Sequence, residues 1–160
     1  SMPAMTPSVL MGLDGKKSSR KHFYQVDFTD QPGFLAKENS KIDALECRFD
    51  GLDLRGLDFS GSNLYGSSFQ GCNLEAANLT GAVLAKADLS GAQLFGAALS
   101  LDCRSFEQVK FDDRQVAAFV WLLASADIRP DIKHRLRDLL KMFDEETLEE
   151  IRQWANRENP

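Results

Sequence analysis

Cys47-Arg48-Phe49-Asp50-Gly51-Leu52-Asp53-Leu54-Arg55-Gly56-Leu57-Asp58-Phe59-Ser60-Gly61 opens a run of eleven five-residue units that continues without a gap to Leu101. The third residue of each unit is Phe49, Leu54, Phe59, Leu64, Phe69, Leu74, Leu79, Leu84, Leu89, Leu94 and Leu99. Leu and Phe are roughly a fifth of the chain, so such a run arises by chance with a probability on the order of 10⁻⁸. Two residues earlier stand only small or apolar side chains, from Cys47 and Leu52 through Ser62, Ser67 and Cys72 to Ala77, Ala82, Ala87, Ala92 and Ala97. Two residues later comes Gly in most units, as in Ala87-Asp88-Leu89-Ser90-Gly91.

A period of five matches neither a helix, which repeats every ~3.6 residues, nor a flat strand, which repeats every two. It suits a chain that turns a corner every five residues, with the central Leu or Phe and the small residue before it both pointing inward. Gly after the centre tolerates the positive φ that a corner needs. Four such sides close a square coil of about twenty residues, and stacked coils pair as parallel β-structure. Residues twenty apart then lie above one another: Phe49, Phe69 and Leu89 in one column, Leu54, Leu74 and Leu94 in the next.

The tandem A(D/N)LxG pattern resembles the pentapeptide-repeat proteins over about a third of the chain. The resemblance implies a mainly β fold: a right-handed quadrilateral β-helix of about three to four coils. Its better understood members mimic DNA and occupy or protect type II topoisomerases, which sets one functional alternative.

Composition narrows the remaining choices. The formal net charge of −5 is mild and speaks against a nucleic-acid-binding face. Basic and acidic residues number five and four in 1–40, four and seven in 41–101, and ten and thirteen in 102–160. No run of eighteen apolar residues predicts a membrane span, and no signal peptide is expected. Three widely spaced cysteines, two in the small inward position, behave as small hydrophobes and point to a reducing cytoplasm.

The flanks divide the chain. Residues 1–22 read as a flexible N-terminal arm ending in the basic stretch Gly15-Lys16-Lys17-Ser18-Ser19-Arg20-Lys21-His22, whose spacing excludes a phosphate-binding loop. Residues 23–111 read as the β-helix with an N-terminal cap, its regular repeats at 47–101. Phe23, Val26 and Phe28 carry imperfect repeat character, Asp30-Gln31-Pro32-Gly33 is a turn by its chemistry, and Phe34 to Ala44 is expected as a loop or short helix. After a bulge at Leu101-Asp102-Cys103-Arg104-Ser105 the register returns shifted by two at Phe106 and Phe111. Residues 112–160 read as a C-terminal helical cap or small bundle of two to three helices. Asp112 or Asp113 caps the first, with Val116, Phe119, Val120 and Leu123 apolar; Pro130 starts the second; Asp144 caps the third, with Leu148, Ile151 and Trp154 apolar.

No set of side chains converges on catalysis in this reading, and neither a cofactor nor a metal is expected. His22 and His134 have no carboxylate or Cys beside them in sequence, and the recurring Asp53, Asp58, Asn63, Asn73, Asn78 and Asp88 suit exposed positions beside a turn. A non-enzymatic scaffold that binds another protein is the expected function, with a topoisomerase-binding DNA mimic as the alternative. The candidate partner surface is Arg55, Tyr65, Glu75, Phe95 and Trp154, with Arg55 and Glu75 expected to pair. A homodimer through the C-terminal helices is a further expectation, and no direct nucleic-acid or membrane partner is expected.

Overall fold

The computed structural model describes residues 20–35, 42–101 and 106–158. The chain divides into two compact units, residues 1–110 and 111–160.

The five-residue unit is a turn with its own hydrogen bonds. The carbonyl of each central residue from Phe49 to Leu94 accepts from the N–H three residues on, as Phe49 does from Leu52 at 3.1 Å and Leu79 from Ala82 at 3.0 Å. Between them the backbone passes through positive φ, +73° at Gly51 and +71° at Gly91. This is the type II geometry that favours glycine. The Asp or Asn before the centre closes the corner from outside: its Oδ1 accepts from the N–H two residues on, at 3.0 Å for Asp58 with Ser60, Asn78 with Thr80 and Asp88 with Ser90. That hydrogen bond is why short Asp and Asn recur there, since longer side chains cannot fold back over two residues.

Successive turns stack at a spacing of twenty residues. Parallel bridges join Arg48 to Ser68 and Ser68 to Asp88, Asp53 to Asn73 and Asn73 to Gln93, Asp58 to Asn78 and Asn78 to Ala98, and Asn63 to Val83. Because the chain bends every five residues, a side contributes one bridged residue rather than a strand. Regular strand among the described residues is confined to β1 (Lys21–Tyr24) and β2 (Ile42–Leu45), which pair in parallel with Lys21 opposite Ile42. "Mainly β" therefore describes the pairing of the repeat segment more than its strand content.

The stack extends beyond the regular repeats at both ends. Asp27 bridges Arg48 at a spacing of 21, and Asp88 bridges Lys110 at a spacing of 22. The two-residue shift expected near Phe106 is thus present, and residues 102–105 of the expected bulge lie outside the described residues, as do 1–19 and 36–41. Two boundaries move. Lys21 and His22, assigned to the arm, belong to β1. Ile42 to Ala44, assigned to a loop or short helix, belong to β2, because fully buried Ile42 and Ala44 face the core. The turn at Pro32-Gly33 stands as expected, with Phe34 N–H donating to the Gln31 carbonyl at 3.0 Å.

Inside the stack, Phe49, Leu54, Phe59, Leu64, Phe69, Leu74, Leu79, Leu84 and Leu89 are buried. Phe28, Phe49 and Phe69 form a face-to-face column with ring centroids 4.8 and 4.6 Å apart and planes 6° and 7° from parallel. These distances lie close to the strand spacing of ~4.7–4.9 Å, so like rings one level apart meet at contact. Ser67 in the small inward position is satisfied: its hydroxyl donates to the Ala44 carbonyl at 2.6 Å and accepts from Cys47 N–H at 3.0 Å.

The second unit is helical: α1 (Asp113–Ser125), α2 (Pro130–Leu140) and α3 (Glu145–Glu158). Asp112 caps α1 reciprocally with Gln115, each side chain meeting the other's backbone N–H at 2.9 Å, and Asp144 caps α3 through Thr147 N–H at 2.8 Å. The buried face of α1 is Ala117, Val120 and Ala124 rather than the expected Val116 and Leu123, which are exposed. Small alanines let a neighbouring helix approach closely. Pro130 sits in the first turn of α2, and no α2 residue is buried.

Candidate functional site

The five candidate surface residues do not converge. Arg55, Glu75 and Phe95 share one outward column: Gly56 N–H donates to the Glu75 carbonyl and Ala76 N–H to the Phe95 carbonyl, each at 3.0 Å. Tyr65 belongs to a different side of the stack, and Trp154 lies on α3 in the other unit, packed edge-on against Trp121 with centroids 5.9 Å apart.

Around Arg55 the sequence expectation needs correction. Its guanidinium grips Asp53 in its own level, Nε to Oδ1 at 2.8 Å and Nη2 to Oδ2 at 2.7 Å. A two-point fork to a neighbour two residues away needs no bridging of levels, so Asp53 outcompetes Glu75. Hydrogen bonds from Arg55 hold the Asp53 carboxyl below its ordinary value, while Glu75 adds a weaker pull on Arg55. Asp53, Arg55, Gly56, Glu75 and Ala76 line a shallow, open depression of about 490 Å³.

Tyr65 is half-buried beneath Lys86, whose ammonium lies 5.6 Å from the ring centroid. A hydrogen bond with the Tyr65 side chain raises the Lys86 pKa. The corner bearing Lys86 differs from the others. Gln25 (φ +55°), Glu46 (φ +52°), Lys86 (φ +60°) and Gln108 (φ +57°) hold side chains in left-handed backbone where other corners place mostly glycine. Gln25 Nε2 donates to Glu46 at 3.0 Å along this edge, and Glu46's charge beside Tyr24 raises that phenol's pKa.

Three features were missed by sequence reasoning. His22 is buried with its Nδ1 3.1 Å from the buried Asp43 carboxylate, and the 21-residue offset of β1 and β2 is the signal that could have paired them. Arg20 reaches over to the Ser60 carbonyl at 2.9 Å and the Ser62 hydroxyl at 3.2 Å, so the end of the basic stretch is anchored. His134 is exposed, with Nε2 3.5 Å from Asp138 one helical turn on, a carboxylate partner that the four-residue spacing shows in retrospect. Buried Cys47 and Cys72 are free thiols, and burial pushes both up to about 11. Among the described residues no group of three or more His, Cys, Asp or Glu could hold a metal ion. No described helix is long and apolar enough to cross a membrane.

Comparison with known proteins bears on the stack. The family model for Pentapeptide repeats matches residues 45–81 and 62–100. No curated protein matches the chain significantly. Among solved structures, a pentapeptide repeat protein (Rfr23) from the cyanobacterium Cyanothece 51142 is 27% identical, with 57% of this chain and 54% of that one covered and a TM-score of 0.37. QnrB1, a plasmid-mediated fluoroquinolone resistance protein, is 16% identical over 54% of this chain and 48% of its own, with a TM-score of 0.31. The chain therefore spans about half the length of these two structures. The five-residue turns, the bridges at twenty residues and the family match coincide on one segment, so residues 45–100 are a run of pentapeptide repeats.

Proposed function

We propose that the chain is a non-enzymatic scaffold for binding another protein, built on a right-handed quadrilateral β-helix of about four levels. The observation that carries this reading is the ladder of backbone hydrogen bonds that joins successive levels among the described residues between Gln25 and Lys110. It fixes every outward side chain at a set height and on a set side, so the surface is preorganised and loses little entropy on binding. The outward column of exposed Arg55 and half-buried Glu75 and Phe95, with half-buried Tyr65 on another side, supplies the mixed aromatic and charged groups that interfaces favour. The DNA-mimic alternative draws less support, because a phosphate-like row needs carboxylates one above another. The column Asp27, Arg48, Ser68, Asp88 and Lys110 instead varies in sign. A reducing cytoplasm is the proposed setting.

The test is capture on the immobilised full chain, compared with Phe95→Ser/Tyr65→Ser, followed by binding measurements with each captured protein once purified. The reading expects saturable binding weakened by about tenfold or more in the variant, as for loss of an interface aromatic. Binding indifferent to both residues refutes this surface. Stoichiometric inhibition of a purified type II topoisomerase by the full chain would restore the mimic.

A further inference from the structure

The described arginines divide into those that are held and those that are not. Arg20, Arg48, Arg55, Arg114, Arg129 and Arg152 each hold a hydrogen bond or an ion pair. Arg135 and Arg137, both on α2, make neither among the described residues, and of the two Arg135 is the one set among apolar side chains. The nearest acid in sequence, Asp138, is taken by Lys141 at 3.1 Å and His134 at 3.5 Å and feels Arg135 least of its basic neighbours. Arg135 stands within an apolar stripe. Ile132 and Leu139 lie three residues before it and four after, on one face of the helix, and Met142 follows in the turn beyond the end of α2 at Leu140; they are 42%, 41% and 79% exposed.

An unneutralised guanidinium among exposed aliphatic side chains has the composition of an interface centre, where Arg and Met are enriched and an Arg gains most from a carboxylate on the partner. We infer that the Ile132, Arg135 and Leu139 face of α2, with Met142 just beyond its end, receives an amphipathic helix of another protein that carries a Glu or Asp among its apolar positions. The inference rests on the scaffold reading and names a second surface for it. A second copy of this chain is a poorer occupant. Face-to-face two-fold packing brings the two Arg135 charges together, and the chain's own acidic amphipathic helix, α3, already uses Ile151 and Trp154 within its unit. An anionic bilayer fits less well too, because Asp131 and Asp138 share α2 and Glu145, Glu146, Glu149 and Glu150 follow on α3.

The probe is a fluorescein-labelled synthetic helix with leucines on one face flanked by glutamates, titrated against the full chain by anisotropy. A sister peptide carries lysine for each glutamate, and phosphatidylglycerol vesicles form a third arm. The expected result is saturable binding of the acidic peptide alone, weakened about tenfold by Arg135→Glu and by Ile132→Ser/Leu139→Ser, and weakened by salt. Arg135→Gln, expected to lose less, serves if the reversal disturbs helicity by circular dichroism. No binding, equal binding of the lysine peptide, or indifference to Arg135→Glu overturns the inference. Vesicle binding that depends on Arg135, without peptide binding, replaces it with a membrane surface, and self-association that depends on Arg135 replaces it with a dimer. The scaffold reading is judged separately by the Phe95 and Tyr65 variant, whose residues lie in the repeat unit.

Discussion

Replacing Phe69 by alanine removes the upper ring of the Phe28, Phe49 and Phe69 column. Phe69 is 1% exposed, lies 4.6 Å from Phe49 in a parallel stack, and meets the edge of Phe59 at 6.5 Å. Truncating a buried Phe costs about 3–5 kcal/mol through lost transfer energy and the cavity left behind. Here the levels above and below are tied by backbone hydrogen bonds, Phe49 N–H to the Ser68 carbonyl and Phe69 N–H to the Asp88 carbonyl, both at 2.8 Å. They cannot collapse into the gap, so a cost of about 4 kcal/mol or more is expected. Phe69→Leu is the control, because leucine fills this position in the neighbouring column of Leu54, Leu74 and Leu94. It keeps most of the volume and forfeits mainly ring stacking, for about 1–2 kcal/mol. Urea unfolding followed by circular dichroism measures both. Trp121 and Trp154 both lie in the helical unit, so tryptophan fluorescence follows that unit separately. Equal costs for the two variants, or a loss below about 2 kcal/mol for alanine, would refute a rigid stack.

Two further perturbations isolate single causes. A Cβ at Gly71 would meet nothing within 4 Å, so Gly71→Ala at φ +66° tests backbone strain alone, and a loss of about 1 kcal/mol in the same urea assay is expected. Ala76→Gly at φ +58° should recover a similar amount, since that corner already carries the strain. The thiols set an alkaline limit. An unfolded Cys ionises near ~8.5, whereas burial holds folded Cys47 and Cys72 protonated up to about 11. Between those values the unfolded chain binds fewer protons, so stability falls as pH rises through the window. Cys72→Ala should flatten that fall in thermal melts, and native Cys72 should resist a thiol reagent at pH near ~8.

The repeat region was legible because its constraint is local and periodic. Each five-residue unit states its inward pair and its corner, and the ladder follows from counting twenty. Phe23 and Phe28 showed as repeat outliers for the same reason. What escaped depended on offsets the period does not supply. The extra residue between β1 and β2 sets His22 on Asp43, and no local pattern announces it. Arg55 was assigned to Glu75 by the column rule, but a carboxylate two residues away offered a better fork. On α1 the hydrophobic scale favoured Val116 and Leu123, whereas close packing selected Ala117 and Ala124. The partner surface was least legible of all, since outward positions are free of the inward constraint that makes the rest readable.

The twenty-residue pairing also limits how such a chain can change its length. Excising Ala82–Lys86, one complete unit, leaves every remaining turn intact but advances all later residues by one side. Phe95 would leave the column of Arg55 and Glu75 and come to rest above Gln70. Insertions and deletions of five thus shuffle the surface while sparing the core, and only a change of twenty preserves both. Surface pattern and core are inherited in different quanta, so a lineage of these chains can rewrite what it presents without relearning how to fold.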